Sequence, residues 1–283
     1  MYNDTKDYGA MYDQLKFTDD FMFCKILENN PELCKELLEV ILGIKIRKLE
    51  SVSRQKEIRV KSDGKGVRFD VYVEASDNKV FDIEMQTTKK KDLPKRARYY
   101  QGMIDMDLIQ KRAEYLDLKR SYVIFICTSD PFGLNLPVYH FENICLENTK
   151  LLLEDETEKI FVNSKGVREN ISEEMKAFLD FLEDKQCDSH LTRRLQEEVE
   201  NARCQEEWRH EYMTLAERDE EKREEGRQEG IKEGIKEGIK EGIKEGIKVL
   251  VESLKEMGVS ENDITEKLMV KFNLTEDEAK TYL

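Results

Sequence analysis

The spacing of apolar residues divides the first part of the chain into a helical segment and a segment of β-strands. Between Phe17 and Gly43 the apolar residues recur every three or four positions, which predicts two short helices. Asn30 suits the cap of the second helix, and Pro31 suits its first turn. Alternating and β-branched segments then predict three strands, at 44–53, 67–74 and 79–86.

A turn and a helix follow these strands. The polar turn at 76–79 joins the last two strands as a hairpin. A helix is predicted over 89–115, and its apolar side consists of Tyr99, Met103, Met106 and either Ile109 or Gln110. The most apolar run of the chain, at 121–129, is short enough to be a strand that is buried on both faces. This order of elements predicts a mixed α/β core.

Polar segments dominate the second half of the chain. Residues 136–146 and 159–162 can add edge strands, and 172–182 can form another helix. Glu and Arg are dense from 191 to 225 and apolar residues are sparse, which predicts one long and largely exposed helix. The last segment, 249–283, predicts a small helical end piece with caps at Ser260 and Thr275.

A Gly-Ile-Lys-Glu repeat precedes the end piece. Its glycines stand at 226, 230, 234, 238, 242 and 246, and its isoleucines at 231, 235, 239, 243 and 247. In an α-helix each repeat advances by about 40°, so the two stripes wind slowly around the axis. Each Gly costs about 1 kcal/mol relative to Ala, so such a helix requires a partner helix against the stripe. The alternative is a solvated linker of low complexity.

The length of 283 residues fits one domain with an extension. We predict four segments: a domain large enough to be catalytic at 1–185, a charged helix at 186–225, the repeat as helix or linker at 226–248, and the end piece at 249–283. The amino terminus does not resemble a signal peptide, and no stretch has the roughly 20 apolar residues of a membrane span. We therefore expect a cytoplasmic protein with no membrane partner.

Cysteine and histidine spacings argue against a structural zinc site. The six cysteines form no Cys-x-x-Cys pair, and several lie in apolar segments, so we expect reduced and mostly buried thiols. The three histidines are too dispersed to complete a zinc constellation with them.

The formal net charge of −14 argues at first against a nucleic-acid partner, because cationic side chains dominate phosphate binding. The distribution of charge changes this conclusion. Between Thr87 and Arg120 ten basic and five acidic residues give a local charge of +5. A helix with this charge can lie along a DNA backbone, although a solvated, lysine-rich helix start is the simpler alternative.

Acidic residues of the predicted hairpin form a candidate metal site. Alternation predicts one apolar face, with Phe69, Val71, Val73, Phe81, Ile83 and Met85. It predicts a polar face with Arg68, Asp70, Tyr72, Glu74, Asp82, Glu84 and Gln86. A turn centred on 77–78 makes paired positions sum to 154 or 155, so Asp70 lies opposite or nearly opposite Glu84, roughly 5 Å away.

Two carboxylates this close destabilise a hairpin unless a positive charge lies between them. Mg²⁺ commonly takes one or two carboxylates and keeps sites for water and phosphate. Gln86 lies on the same face and can orient water or phosphate through its amide, but it cannot act as a base. The alternative is that these acids are only the solvated side of an antiparallel hairpin.

Five segments occur in a specific order: FTDDFMFCKILENNPELCKELLEVIL, FDIEMQ, RARYYQGMIDMDLI, YVIFICTSDPFG and the glycine-rich repeat. This order, together with Asp70 and the E-x-Q motif, resembles the PD-(D/E)XK nuclease superfamily in its E-x-Q variant. More narrowly, it resembles the Rpn family of recombination-promoting nucleases and transposases, over about residues 15–250.

The resemblance implies a four-stranded mixed sheet flanked by helices, Mg²⁺-dependent DNA hydrolysis, and a role in recombination or mobile elements. It implies that Asp70 and Glu84 are metal ligands and that Gln86 is a catalytic residue where the superfamily usually has lysine. An upstream acid can be Asp19 or Asp20, although a helix cap is the simpler role. The implied DNA contacts are Lys89, Lys90, Lys91, Lys95, Arg96, Arg98, Tyr100 and Gln101, with core packing as an equal alternative for the tyrosine.

Two further hypotheses concern the whole chain. The acids can belong to a nuclease-like DNA-binding or assembly protein that does no chemistry. The C-terminal helical region, with the repeat, can form a homodimer that presents two active sites. The residues do not distinguish DNA cleavage from strand transfer.

Overall fold

The computed structural model describes residues 7–58, 66–109 and 114–283. The chain forms two compact units, Met1–Met213 and Thr214–Leu283. Over the described residues the first unit contains a mixed six-stranded sheet with helices, which confirms the predicted α/β class. The sheet has two strands more than the resemblance implied. Within the same ranges, no helix combines the length and the apolar character needed to cross a membrane.

The strands of the sheet are β1 Leu49–Ile58, β2 Val67–Ala75, β3 Lys79–Gln86, β4 Arg120–Cys127, β5 Val138–Phe141 and β6 Thr157–Asn163. The helices are α1 Tyr8–Tyr12, α2 Asp20–Asn29, α3 Pro31–Leu42, α4 Leu93–Leu108, α5 Glu173–Phe181, α6 His190–Arg203, α7 Glu206–Glu256, α8 Glu261–Phe272 and α9 Glu276–Lys280. The strand order is β1-β2-β3-β4-β6-β5. Strand β4 pairs in parallel with β3 and β6, and the other neighbours are antiparallel.

The helices before the sheet begin and end as predicted. Pro31 occupies the first position of α3, and Gly43 ends the helix in a left-handed conformation with φ 66°. Asn30 precedes the helix, but its side chain makes no capping hydrogen bond and donates to Ile26 O instead, so its predicted role as a cap is wrong. Strand β1 runs from 49 to 58 rather than from 44 to 53, because its extent is set by its pairing with β2. The predicted hairpin is confirmed, with Asn78 at a positive φ of 61° in the turn.

The buried side of α4 differs from the prediction. Tyr99 and Met106 are 41% and 55% exposed, whereas the buried residues are Leu93, Ala97, Gln101, Met103 and Ile104. Met103 is buried as predicted, but two overlapping stripes of helical spacing exist in this segment, and the rest of the buried side belongs to the other stripe. The helix is also shorter than the predicted 89–115. Gln110, Lys111 and Arg112 lie outside the described residues.

The central strands are buried as their composition predicts. Strand β4 is buried from Ser121 to Cys127, which confirms the prediction for the most apolar run. The prediction of an edge strand at 159–162 is wrong, because β6 pairs with β4 on one side and β5 on the other. Only one of the two added strands, β5, ends the sheet.

The predicted single charged helix from 191 to 225 is two helices. Helix α6 ends at Arg203, and α7 begins at Glu206. Leu191, Leu195 and Val199 of α6 are buried, and α6 packs against α2, α3 and α5. The first compact unit therefore extends beyond the predicted domain end at 185.

The second unit contains the repeat in a helical conformation. Helix α7 continues through the whole repeat to Glu256. The repeat isoleucines from Ile231 to Ile243 are about half exposed, whereas Ile247 is buried. Ile247 belongs to a small core with Val251, Ile264, Leu268 and Ala279. The predicted caps at Ser260 and Thr275 are confirmed by their hydrogen bonds to the following turn.

Candidate active site

The β2–β3 hairpin opens at Asp70 and Glu84. Main-chain pairing runs from Ala75 opposite Lys79 to Val71 opposite Ile83, which confirms the predicted register. Beyond this point, side chains take over the hydrogen bonds of the ladder. The Asp70 N–H donates to Glu84 Oε1 at 2.9 Å, and the Met85 N–H donates to Asp70 Oδ2 at 3.1 Å. Both carboxyl groups are thereby held at the same end of the hairpin.

The neighbouring strand is also irregular at this level. Gln55 of β1 has a positive φ of 50° and lies between Arg54 and Lys56, which pair with Val71 and Phe69 on either side of Asp70. The prediction of strict alternation along β2 is consequently wrong. Phe69 and Tyr72, predicted on opposite faces, pack in one core cluster with their ring centroids 5.6 Å apart.

The polar face of β3 is buried, so the alternative of a solvated hairpin face is wrong. Asp82, Glu84 and Gln86 are all 5% exposed or less. Helix α4 and the core residues that pack beneath it cover this face. Buried carboxyl groups of this kind require a proton, a cationic partner or a metal ion.

Helix α2 brings a further acid and a thiol to Asp70. A carboxylate oxygen of Asp20, the Cys24 Sγ and a carboxylate oxygen of Asp70 lie within 4.8 Å of one another. The Asp19 carboxylate is instead used locally, where it accepts from the Lys16 N–H at 2.6 Å. Of the two predicted upstream acids, Asp20 is therefore the one beside the site. Sequence reasoning missed Cys24, although its spacing of four from Asp20 places both on one side of a helix.

The pKa values of three carboxyl groups in the site are raised. Burial, followed by the charges of Glu84 and Asp20, raises the pKa of Asp70 to about 8. Burial also raises the pKa of Glu84, against the opposing effects of the Asp70 N–H and Arg96. The pKa of Asp82 is well above its ordinary range, first because of burial and then because of Glu84 and Asp70. Neither Asp82 carboxyl oxygen has a hydrogen-bond partner among the described residues, so burial favours the neutral form of this group.

Arg96 of α4 supplies a positive charge inside the site. Its Nη2 donates to Glu84 Oε2 at 2.6 Å, and its Nη1 donates to Gln86 Oε1 at 2.9 Å. Its Nε donates to the Tyr100 hydroxyl at 3.2 Å, and the guanidinium lies 5.1 Å from the centroid of the Phe125 ring. Arg96 was predicted only as a DNA contact. The sequence signal for its position is the spacing of four between Arg96 and Tyr100 on a helix that directly follows the E-x-Q motif.

The Gln86 amide is held at both ends. Its oxygen accepts from Arg96, and its Nε2 donates to the Thr88 Oγ1 at 3.0 Å. Gln86 therefore links the end of β3 to the start of α4, with its side chain 5% or less exposed to solvent.

The other predicted DNA contacts separate into two groups. Exposed side chains are those of Lys89, Lys90, Lys91, Lys95 and Arg98. Tyr100 is half-buried, and its ring packs 5.3 Å from that of Phe69. The prediction for Gln101 as a phosphate contact is wrong, because Gln101 is buried and donates to the Ser121 hydroxyl. A buried amide between a helix and a strand is unavailable to DNA.

A second group with metal-ligand spacing lies at the other end of the sheet and consists of His140, Glu142 and Glu158. Glu158 Oε1 accepts from Arg120 Nε and Nη2, at 2.9 and 2.6 Å. Glu158 Oε2 lies 2.6 Å from His140 Nε2. Because both oxygens are already paired, this group is a structural ion pair rather than a candidate active site.

Comparison with known families agrees with this geometry. The sequence model of the family described as PD-(D/E)XK nuclease family transposase matches residues 17–237. This range contains α2, the whole sheet and α4. Neither a curated protein nor a solved structure matches the chain significantly. The matched range covers well over half of the 283 residues, and the chain belongs to the PD-(D/E)XK nuclease family of transposases.

Proposed function

We propose that the protein is a Mg²⁺-dependent DNA endonuclease that hydrolyses phosphodiester bonds at Asp70, Glu84 and Gln86. We further propose that it acts in recombination or on mobile elements. The observation that carries the proposal is the crowding of buried carboxyl groups where the hairpin opens. Membership in a nuclease family supports DNA as the substrate.

Asp70 and Glu84 are the proposed metal ligands, and their surroundings suit a hard divalent ion. Main-chain N–H groups hold one oxygen of each carboxyl group, so their orientation does not depend on a bound ion. The rise of the Asp70 pKa to about 8 means that the site favours an added positive charge. When bound, Mg²⁺ supplies a Lewis acid that activates water and offsets phosphate charge.

Arg96 and Gln86 divide the role of the lysine that most superfamily members carry. Gln86 can orient a phosphate or a water through its amide, but it carries no charge. The Arg96 guanidinium lies against Gln86 Oε1, and its planar donors suit a phosphate oxygen. We propose that Arg96 stabilises the negative charge that develops on the phosphate during hydrolysis.

The exposed basic residues before and within α4 are proposed to contact the DNA backbone. Lys89, Lys90 and Lys91 precede the helix, and Lys95 and Arg98 project from its first turns. Contacts of this kind position the duplex without reading its sequence.

The six cysteines are free thiols, which supports a reducing compartment and a proposed cytoplasmic location.

The test is cleavage of supercoiled plasmid with Mg²⁺ or EDTA by the intact protein, Asp70→Ala and Glu84→Ala. We expect cleavage only with Mg²⁺ and only by the intact protein, while circular dichroism shows that both variants fold. Equal cleavage by all three forms would overturn the assignment of the chemistry to this hairpin.

A nuclease-like DNA-binding or assembly protein is the second candidate. The ion pair of 2.6 Å between Arg96 and Glu84 favours it, because this contact occupies one oxygen of a proposed metal ligand. This candidate predicts that no form cleaves DNA and that Asp70→Ala binds DNA as tightly as the intact protein. Electrophoretic mobility shift with labelled duplex measures that affinity.

We also propose that the C-terminal helical region forms a homodimer. The observation behind this proposal is the row of half-exposed isoleucines on α7, at Ile231, Ile235, Ile239 and Ile243. Glycines between them allow a second helix to approach closely. Light scattering of the full chain should give a dimer, and Ile235→Glu with Ile239→Glu should give a monomer. An unchanged mass in the double variant would overturn the proposal.

A further inference from the structure

The candidate metal site contains one group that Mg²⁺ does not require, the thiol of Cys24. Its Sγ lies 3.7 Å from Asp20 Oδ1 and within 4.8 Å of an Asp70 carboxylate oxygen. The thiol comes from α2 and Asp70 from β2, so the group depends on the packing of a helix against the sheet. Cys24 is itself buried.

A second buried cysteine shows that burial alone does not create such a group. Cys34 lies on the next helix, α3, and is as fully buried as Cys24. Burial alone raises the pKa of Cys34, whereas burial and then the charges of Asp20, Asp70 and Glu84 raise the pKa of Cys24, so both thiols keep their protons in the metal-free protein. Adjacent helices therefore hold two buried thiols, and of these two Cys24 is the one that is grouped with carboxylates.

The mixture of sulfur and oxygen donors selects a class of metal ion. Mg²⁺ is hard and binds oxygen, whereas Zn²⁺ and Cd²⁺ bind thiolates well. Tetrahedral zinc with bonds of about 2.0–2.3 Å places its ligand atoms about 3.5 Å apart. The separation of 3.7 Å between Cys24 Sγ and Asp20 Oδ1 already approaches that spacing.

We propose that Asp20, Cys24 and Asp70 form a binding site for a thiophilic divalent ion, Zn²⁺ or Cd²⁺, and that this ion inhibits the nuclease. The binding site stands on the geometry above. The inhibition rests on the proposed function, because the two sites share Asp70.

Binding replaces the protons of the ligands by the metal ion. The S–H bond of Cys24 breaks, the sulfur keeps the electron pair and binds the ion, and the proton passes to water. Where the Asp70 carboxyl group is protonated, its O–H bond breaks in the same way and that proton also passes to water. No electron is transferred, so neither an oxidant nor a reductant is needed. The carboxylates of Asp20 and Asp70 then offset the charge of the ion.

The first experiment titrates the full chain with Cd²⁺, without Mg²⁺, and follows the ultraviolet absorption of the cadmium–thiolate bond. Serine replaces Cys145, Cys187 and Cys204 in all samples, because these thiols are less buried and can bind Cd²⁺ themselves. We expect one equivalent of the absorption band, its loss in Cys24→Ser and its retention in Cys34→Ser. A band that persists in Cys24→Ser would overturn the proposal.

Asp20→Asn provides a test that does not alter a buried position, because Asp20 is exposed. Loss of one ligand should weaken Cd²⁺ binding at least about tenfold while the band keeps its full amplitude at saturation. Unchanged affinity in Asp20→Asn would overturn the three-ligand site even if Cys24→Ser failed to fold.

The second experiment separates this proposal from the proposed function. Plasmid cleavage with Mg²⁺ is measured as Zn²⁺ is added, and we expect cleavage to fall as the thiophilic site fills. Cleavage that persists at saturating Zn²⁺ would overturn the inhibition. If the protein does not cleave DNA with Mg²⁺ but the band depends on Cys24, the hydrolysis proposal fails and the thiophilic site stands.

Discussion

Two buried glutamates of the same sheet, Glu84 on β3 and Glu158 on β6, have very different partners. Glu158 is 5% exposed and has two donors of Arg120 on one oxygen and His140 beside the other. Its desolvated charge is therefore matched locally. An acid with this environment needs no further positive charge to offset its burial.

Glu84 is 1% exposed, and among the residues that the structure describes it has one cationic partner, Arg96. Asp70 and Asp82 crowd beside it, and the pKa values of all three carboxyl groups are raised. The comparison teaches that burial of an acid does not by itself indicate a functional site. The balance of charge around the acid separates a structural ion pair from a ligand site.

The largest expected effect comes from neutralising each glutamate in turn. Glu84→Gln should lower Mg²⁺-dependent cleavage at least about a hundredfold, because it removes a proposed metal ligand. Glu158→Gln should leave cleavage intact and reduce the free energy of unfolding by about 1–3 kcal/mol, because it weakens charge-assisted hydrogen bonds. Plasmid cleavage and urea unfolding of both variants measure these effects. Equal loss of cleavage in both would contradict the distinction.

Arg96 and Arg120, the arginine partners of the two glutamates, should differ in the same way in their effect on cleavage. Arg96→Met should lower the cleavage rate at saturating Mg²⁺ by about 10²-fold, because a charged donor near the phosphate is lost. Arg96→Lys should lie between it and the intact protein, since lysine keeps the charge but not the planar pair of donors.

Arg120→Met is the matched control for this prediction, because Arg120 holds Glu158 as Arg96 holds Glu84. Its cleavage rate should equal that of the intact protein. Loss of cleavage in Arg120→Met comparable to that in Arg96→Met would show that the effect is structural.

The raised pKa of Asp70 predicts a pH dependence of stability. In metal-free protein the folded state keeps the Asp70 proton up to about pH 8, whereas the unfolded state releases it near its ordinary pKa of 3.8. The contribution of Asp70 is thus fully present below about pH 4 and is lost progressively as pH rises to 8, by up to about 1.4 kcal/mol per pH unit.

Urea unfolding in EDTA between pH 5 and 8 tests this prediction. Asp70→Asn should lose stability less steeply with rising pH than the intact protein, because its side chain does not titrate. Mg²⁺ should stabilise the intact protein more at pH 8 than at pH 6. A parallel pH dependence of the two proteins would refute the role of Asp70.

The smallest effect is expected from the exposed lysines. Lys90→Ala should reduce the slope of log affinity for DNA against log salt by about 1, as one phosphate contact is lost. Lys150→Ala, an exposed lysine between β5 and β6, should leave the slope unchanged. Fluorescence anisotropy with labelled duplex at several salt concentrations measures both slopes, and an identical reduction would indicate only a general charge effect.

Local chemistry allowed much of the fold to be predicted. Three correct predictions depend on neighbours in sequence or on one short turn. They are the ends of α3, the hairpin register that brings Asp70 opposite Glu84, and the buried run of β4. Such patterns survive in the folded protein because hydrogen bonding and side-chain alternation act over a few residues.

The predictions were wrong where two local patterns competed, or where contacts with residues distant in sequence determined the structure. Helix α4 offers two overlapping stripes, and only packing on the sheet selected the one with Leu93 and Ala97. The break between α6 and α7 follows from the burial of α6 against other helices, and the inner position of β6 follows from its pairing with β5.

The amino-acid sequence by itself determined the mixed α/β class, the acid pair of the hairpin and the E-x-Q motif beside a basic helix. Only the tertiary structure decided that Asp20 and Cys24 reach Asp70, and that Arg96 reaches Glu84 rather than solvent. These contacts join α2, β2, β3 and α4, elements that are distant in sequence. Their approach is set by burial of the shared core, and no local pattern of residues encodes it.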